Sequence, residues 1–192
     1  MTATAFEVLA KDHEEVRRML AQLETGPTAA TGASEEELLL RKRMTEQLII
    51  QASAHEAVEE MYFWPLVRER VMDGDWLADE ATVQEQQAKQ VLYRLDKADA
   101  SDADFEQLLS MFTVAAREHI AFEEDQVWPG LRTGLTAAEA EDLGNLLTEA
   151  KKAAPTRPHP NTPGTPGVQK TTGPAVGLVD KIRDAMNGRG DY

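Results

Sequence analysis

Two stretches of the chain share one pattern: residues 55–65 read HEAVEEMYFWP, and residues 119–129 read HIAFEEDQVWP. His, Glu, Glu, Trp and Pro recur at the same offsets in both stretches. A His and a Glu four positions apart lie one turn from each other on one face of a helix, with converging side chains. The repeat therefore predicts two helices that each present a His–Glu pair to a common interior.

Apolar residues at helical spacing extend outward from these stretches through most of the first 150 residues. A first helix is predicted from Phe6 to the break at Gly26, and capping boxes at Ser34 and Thr136 open the second and the fifth helix. The third helix carries Ala78 to Leu95, and the fourth begins after Asp102. With no strand-like alternation, the sequence predicts an all-α, up-down antiparallel four-helix bundle with an additional short helix.

The distribution of prolines predicts where the bundle ends. Only Pro27, Pro65 and Pro129 precede residue 154, whereas six prolines and several glycines crowd the residues that follow. This composition predicts a flexible Pro/Gly-rich linker over residues 154–175. The bundle is then residues 1–153, and apolar positions at helical spacing predict a short amphipathic C-terminal helix and tail over residues 176–192.

Composition excludes several classes of function. The chain has 20 Lys and Arg against 34 Asp and Glu, a net charge of −14, which disfavours nucleic acid and anionic membranes as partners. Because it has no Cys, disulfides, thiolate metal sites and thiol nucleophiles are excluded. The first residues lack a signal-peptide pattern, and no segment approaches about 18 uninterrupted apolar residues. We expect a soluble, cytoplasmic protein.

The His–Glu pairs place carboxylates where the bundle interior is expected. A buried carboxylate costs several kcal/mol unless it is paired or coordinated. On each helix, the residues that face the interior form a stripe along its length. The Lys and Arg residues, Lys89 among them, are predicted to lie off these stripes. A multivalent cation is then the simplest partner for Glu59 and Glu123.

A third imidazole, His13, lies in the apolar phase of the first helix. Together with His55, Glu59, His119 and Glu123 it offers more donors than one ion needs, which matches two ions bridged by carboxylates. Mixed nitrogen and oxygen donors without sulfur favour iron or manganese over copper or structural zinc.

The chain resembles the hemerythrin-like family, the HHE cation-binding domain, over roughly residues 4–150, and its tail resembles those of actinobacterial members. The resemblance rests on residues 11–14 (KDHE), on His55 with Glu59, on His119 with Glu123, and on the Trp-Pro that follows each pair. It implies a non-haem di-iron centre inside a four-helix bundle, with the two carboxylates bridging the irons. Iron is accordingly favoured over manganese.

The third helix departs from the family pattern. The resemblance implies at least one His from this helix, as family members normally supply, whereas here it has none, and Glu85 stands at the position that corresponds to His13. Glu85 and Glu56 are therefore further candidate ligands. More carboxylate and less imidazole favours di-iron enzymes and the ferric state over reversible oxygen carriage. We expect Trp64 and Trp128 to cap the end of the bundle.

Three hypotheses follow for function. The first is a di-iron redox protein that binds or reacts with O2, hydrogen peroxide or nitric oxide in oxidative stress, with peroxide disproportionation as a candidate enzyme activity. The second is a non-enzymatic iron-binding module or a sensor of gas or redox state. The third is a metal-free bundle that serves protein interaction. The sequence identifies no redox partner.

Overall fold

The structure is a computed structural model that describes residues 2–161, 176–181, 183 and 184, and these residues contain no β-strand. The helices are α1 (Ala5–Thr25), α2 (Glu35–Val58), α3 (Trp64–Arg70), α4 (Gly74–Lys97), α5 (Phe105–Phe122), α6 (Trp128–Gly134) and α7 (Ala137–Lys151). The all-α prediction is confirmed. No helix in these residues is both long enough and apolar enough to span a membrane.

The helix starts follow from local hydrogen bonds. The side chain of Ser34 accepts a hydrogen bond from the backbone N–H of Glu37, and the Glu37 carboxylate accepts one from the backbone of Ser34. Thr136 and Glu139 form the same capping box before α7. Both boxes satisfy backbone donors that a helix start leaves unpaired, as the sequence predicts.

Each His–Glu stretch contains a π-helical turn that the sequence analysis did not predict. These turns, Glu59–Phe63 and Glu123–Val127, join α2 to α3 and α5 to α6. The backbone N–H of Trp64 bonds to the carbonyl of Glu59, five residues earlier. A proline has no N–H, and its ring clashes with the carbonyl four residues earlier in a regular α-helix, so the wider turn accommodates the Pro that follows each Trp.

The helices pack around two apolar clusters, and the polar stripe residues lie where the clusters meet. α1 packs against α2, α5 and α7, and α4 packs against α2, α3 and α5. On α1, Leu9 belongs to one cluster and Val16 to the other, with His13 between them. On α4, Ala81 and Ala88 flank Glu85 in the same way. The bundle is therefore apolar at both ends and polar in one middle layer, while its up-down order stays a prediction.

The described part of the C-terminal region lies against the helices. Ala154 is buried, and Nη1 of Arg157 lies 3.1 Å from Oδ2 of Asp96 at the end of α4. Residues 176–181, 183 and 184 are helical, and Asp180 lies 2.8 Å from Nε2 of His159. Most of the predicted linker, residues 162–175, and the tail beyond residue 184 lie outside the described residues. The boundary at residue 153 stays a prediction.

Candidate metal centre

Three imidazoles enter the polar layer from different helices, and each ring is held by an oxygen on its outer side. The Nδ1 contacts are His13 to Glu124 Oε1 (2.9 Å), His55 to Asp12 Oδ2 (3.1 Å) and His119 to Gln84 Oε1 (3.0 Å). Because these oxygens accept, each Nδ1 is assigned the ring proton. Each Nε2 is then an unprotonated nitrogen with a lone pair directed inward, the tautomer that metal-bound histidines adopt.

The inward nitrogens meet the carboxylates of Glu59 and Glu123. Nε2 of His55 lies 3.1 Å from Oε2 of Glu59. Glu123 reaches two imidazoles, with Oε1 at 2.7 Å from Nε2 of His119 and Oε2 at 3.2 Å from Nε2 of His13. The two carboxylates predicted to bridge a metal pair thus lie between the imidazoles of three helices.

These inward atoms have no hydrogen-bond donors among the described residues. They are buried and unpartnered: Nε2 of His13, His55 and His119, both oxygens of Glu59 and of Glu123, and Oε2 of Glu85. With the ring protons on Nδ1, the short contacts join acceptors to acceptors. Such an arrangement is unfavourable in a buried layer unless a cation lies among the lone pairs. The donor set present therefore fits a bound metal.

The donor atoms form two overlapping groups. Atoms of His13, His55, Glu59 and Glu123 lie within 4.8 Å of one another, and so do atoms of Glu59, Glu85 and His119. Glu59 belongs to both groups, and Glu123 contacts an imidazole of each. The arrangement offers two neighbouring cation positions with nitrogen and oxygen donors.

The structure brings Glu85 into this centre. Its carboxylate is fully buried, with Oε1 3.9 Å from Nε2 of His119 and 2.5 Å from the indole Nε1 of Trp64, which donates a hydrogen bond to it. Trp64 and Trp128 belong to the apolar cluster at one end of the bundle, and they also contact the centre, which the sequence analysis did not predict. Trp64 fixes Glu85, and the indole of Trp128 stacks on His13 with ring centroids 5.2 Å apart. Each Trp follows its Glu by five residues, so the π-helical turns direct the rings back toward the centre.

Glu56 is buried but belongs to neither donor group. It lines a cavity of about 30 Å³ beside the three imidazoles, and its Oε2 has no hydrogen-bond partner among the described residues. Burial raises the pKa of Glu56 to about 7. The remaining lining residues of the cavity are apolar: Val16, Ala52, Ala88, Phe112, Ala115, Ala116 and Ile120.

Lys89 corrects the expectation that no cation lies on these stripes. It follows Glu85 by one helical turn, is buried, and donates a hydrogen bond to Oε1 of Glu60. Burial opposes the charged form of Lys89, but Glu56, Glu60 and Glu85 outweigh it and raise the pKa of the ammonium group. The i,i+4 spacing from Glu85 is the sequence signal that places Lys89 on the inner face.

Burial also shifts the other titrating groups of the centre. It raises the pKa of Glu59 and of Glu85 well above the usual value, and it lowers the pKa of His55 to about 3. For Glu123, burial acts in the same direction as for the other carboxyls, but contacts with His119 and His13 outweigh it and lower the pKa. Without a cation, most of these groups are driven toward their neutral forms.

The residues that orient the imidazoles were missed from the sequence. Asp12, Gln84 and Glu124 each stand next to a candidate ligand, yet each supports an imidazole on a different helix. Arg17 binds Glu124 through two hydrogen bonds of 2.9 and 2.7 Å. A polar residue beside each ligand was the available signal, but its partner depends on how neighbouring helices are rotated.

The chain is similar to known proteins in sequence and in fold. The family model of the hemerythrin HHE cation-binding domain matches residues 4–131. A hemerythrin-like protein of Schizosaccharomyces pombe is 26% identical over 145 residues, which cover 75% of this chain and 71% of the relative. The crystal structure of a hemerythrin HHE cation-binding domain-containing protein from Mycobacterium kansasii has a TM-score of 0.64 at 22% identity, covering 78% of this chain and 86% of the other. At that identity the structural likeness shows the fold.

Proposed function

Because the chain belongs to the hemerythrin HHE cation-binding domain family, we propose that its buried His/Glu layer holds two iron ions and disproportionates hydrogen peroxide. The observation that carries the proposal is the convergence of unpartnered acceptors from α1, α2, α4 and α5 on one buried point. A multivalent cation satisfies three imidazole nitrogens and several carboxylate oxygens at once. The same centre is suited to binding O2 and nitric oxide.

The balance of charge around the centre supports two ions. Three ion pairs at its edge are neutral in themselves: Glu60 with Lys89, Glu124 with Arg17, and Asp12 with Lys151. Four buried carboxylates have no Lys or Arg ion-pair partner among the described residues: Glu56, Glu59, Glu85 and Glu123. Two divalent cations neutralise four carboxylates, and one leaves a buried net charge.

The donor atoms favour iron. The chain has no Cys, and the centre offers imidazole nitrogens and carboxylate oxygens in similar numbers. Imidazole suits iron, and carboxylates suit hard cations such as iron and manganese. The outer contacts of the imidazoles with Asp12, Gln84 and Glu124 raise the basicity of the ligating nitrogens. Manganese is the second choice for this donor set.

The cavity beside the imidazoles suits a very small molecule. Its volume of about 30 Å³ is roughly the space of one or two waters, and hydrogen peroxide and diatomic gases are of this size. Phe112 and Ile120 line it with apolar surface beside the three imidazoles, and its small volume disfavours larger reductants. The iron pair, when bound, supplies the two-electron redox chemistry that converts two H2O2 to one O2 and two H2O.

Anaerobic loading with Fe(II) followed by metal analysis and a peroxide assay tests the proposal. We expect about two irons per chain and one O2 released for every two H2O2 consumed. An iron content clearly below one in folded protein contradicts the iron centre. Full iron loading with nitric oxide binding but no peroxide turnover contradicts the enzyme activity and supports the sensor hypothesis.

A further inference from the structure

Glu56 occupies a position that ligation does not explain. It follows His55 on α2, is only 4% exposed, and belongs to neither group of converging donor atoms. It nevertheless lines the small cavity beside His13, His55 and His119, and its Oε2 is buried without a partner. A buried acceptor without a donor costs free energy that the fold must recover elsewhere. A small molecule bound in this cavity can donate a hydrogen bond to the Glu56 carboxyl.

A buried ion pair lies one helical turn from Glu56. Glu60 lies one turn after Glu56 on the same helical rod and accepts a hydrogen bond from Lys89. The charges of Lys89 and Glu56 also interact. Among the carboxylates that raise the pKa of the Lys89 ammonium group, Glu56 has the largest effect. Lys89 therefore makes the burial of the Glu56 carboxylate tolerable without occupying its Oε2.

The candidate small molecules differ in whether they can donate a hydrogen bond to the Glu56 carboxyl. Hydrogen peroxide has two O–H donors, whereas O2 and nitric oxide have none. A donor-free ligand in the cavity leaves the Glu56 carboxyl without a hydrogen-bond donor, whereas a peroxide O–H supplies one. Sites built to hydrogen-bond a substrate discriminate strongly against analogues that lack the bonding group, because their own buried polar atoms are then left unpaired.

We infer that Glu56 selects hydrogen peroxide over O2 and nitric oxide by accepting a hydrogen bond from a peroxide O–H in the cavity. The inference rests on the proposed function, since it assigns a substrate to the same metal centre. It makes Glu56 a substrate-contacting residue and not a metal ligand. It holds whether the carboxyl is ionised or protonated, because both forms keep an acceptor oxygen.

The test compares Glu56→Leu, which removes the acceptor, with Glu56→Gln, which keeps one acceptor oxygen. Glu118→Leu is the matched control, because Glu118 also adjoins a candidate ligand, His119, but is exposed. All are loaded anaerobically with Fe(II) and checked by circular dichroism and iron analysis. In Glu56→Leu, we expect kcat/KM for peroxide to fall about 10- to 100-fold, the effect of leaving a buried O–H of the substrate without its acceptor. Glu56→Gln should lose less, and Glu118→Leu should match wild type.

Two readouts do not depend on peroxide turnover. The affinity of the Fe(II)-loaded Glu56→Leu protein for nitric oxide, followed by its absorption change, should stay at the wild-type value or become tighter. The metal-free Glu56→Leu protein should melt at a higher temperature than metal-free wild type, because a buried unpaired carboxyl is removed.

The outcomes separate the inference from the proposed function. Wild-type protein that holds iron but does not consume peroxide overturns both. If wild type is active, loss of iron in Glu56→Leu shows that Glu56 is a ligand and overturns the inference alone. Equal loss of peroxide activity and of nitric oxide affinity also overturns it, because the cavity as a whole has then changed. If kcat/KM for peroxide in Glu56→Leu equals that of wild type, Glu56 does not contact the substrate, and the inference is overturned as well.

Discussion

Asp12 on α1 holds the imidazole of His55 on α2, with Oδ2 of the carboxylate 3.1 Å from Nδ1 of the ring. The same oxygen accepts a hydrogen bond from Lys151 at the end of α7. One carboxylate thus connects three helices and sets the direction of a candidate ligand. Gln84 and Glu124 likewise adjoin one candidate ligand and support another on a different helix, so orientation of the metal donors and packing of the bundle depend on the same contacts.

Removing this support should weaken metal binding without removing a ligand. In Asp12→Ala, His55 loses the acceptor that fixes its tautomer and orientation. We expect iron affinity to fall about 10- to 100-fold, measured by competition with a chelator of known affinity. Glu14→Ala is the matched control, because Glu14 adjoins His13 on the exposed side of the same helix. Equal affinity in both variants contradicts a supporting role for Asp12.

Replacing a predicted ligand should have a larger effect. His119→Ala removes the imidazole that lies 2.7 Å from Oε1 of Glu123, so we expect less than two irons per chain and a lower melting temperature of the loaded protein. Both are measured by metal analysis and calorimetry. His159→Ala is the control, because His159 contacts Asp180 outside the centre. An unchanged iron content in His119→Ala removes His119 from the site.

The features that could be predicted from the sequence are those that depend on interactions between residues close together in the chain. Ser34 and Glu37 indicate a helix start within four residues, and the repeated His–Glu pairs indicate a buried polar face. The π-helical turns were missed because the apolar spacing around Glu59 and Glu123 fits a regular helix equally well. Only the Pro that follows each Trp signals the irregularity.

The second layer of the centre could not be predicted because it depends on contacts between helices. Whether Asp12 faces His55, or Gln84 faces His119, is set by the rotation of each helix about its axis, which periodicity fixes only to a broad face. Lys89 was misplaced because the sequence analysis did not use its i,i+4 spacing from Glu85, which puts it on the inner face of α4, where its ammonium donates to Glu60.

The pKa shifts predict how the stability of the metal-free protein depends on pH. Glu56, Glu59 and Glu85 have raised pKa values in the folded state. Their contribution to the free energy of unfolding is therefore full below about pH 4.5 and is lost as the pH rises through the folded pKa values. The lowered pKa of His55 acts oppositely, but only below its usual value of 6.5. Between pH 6.5 and 8 we therefore expect the melting temperature of the metal-free protein to fall.

The iron-loaded protein is the comparison for this pH experiment. Metal ligation holds the carboxylates ionised, so the loaded protein should not lose melting temperature between pH 6.5 and 8. Calorimetric scans of both forms at pH 6.5, 7.2 and 8 measure the difference. Parallel curves for the two forms argue that these carboxyls do not bind the metal.

Truncation separates the metal centre from the C-terminal region. Deletion of residues 154–192 removes buried Ala154 and the contact of Arg157 with Asp96, whereas deletion of residues 162–192 keeps them. We expect full iron content in both, and a melting temperature lower by about 2–8 °C in the longer deletion, as a loss of one to two kcal/mol gives in a chain of this size. Loss of iron in the shorter deletion contradicts an independent bundle.

Glu85 is the candidate carboxylate ligand on α4, and its contacts predict the reduction potential of the centre. A carboxylate stabilises the ferric state more than an imidazole does, so Glu85→His should raise the potential and Glu85→Ala should lose iron more readily. Spectroelectrochemical titration of the loaded proteins, with metal analysis, measures both. Wild-type potential and iron content in both variants would mean that Glu85 is buried beside the centre without binding it.

The hydrogen bond from Trp64 to Glu85 gives a control of opposite sign. In Trp64→Phe the carboxylate stays in place but loses the indole donor that draws charge from Oε1. Its oxygen becomes a stronger donor to the ferric ion, so the potential should fall below that of wild type while the iron content is unchanged. Trp128→Phe changes the ring stacked on His13 without touching this bond and should leave the potential closer to wild type. A rise in potential in Trp64→Phe contradicts ligation by Glu85, because only a bound carboxylate transmits the loss of that hydrogen bond to the metal in this direction.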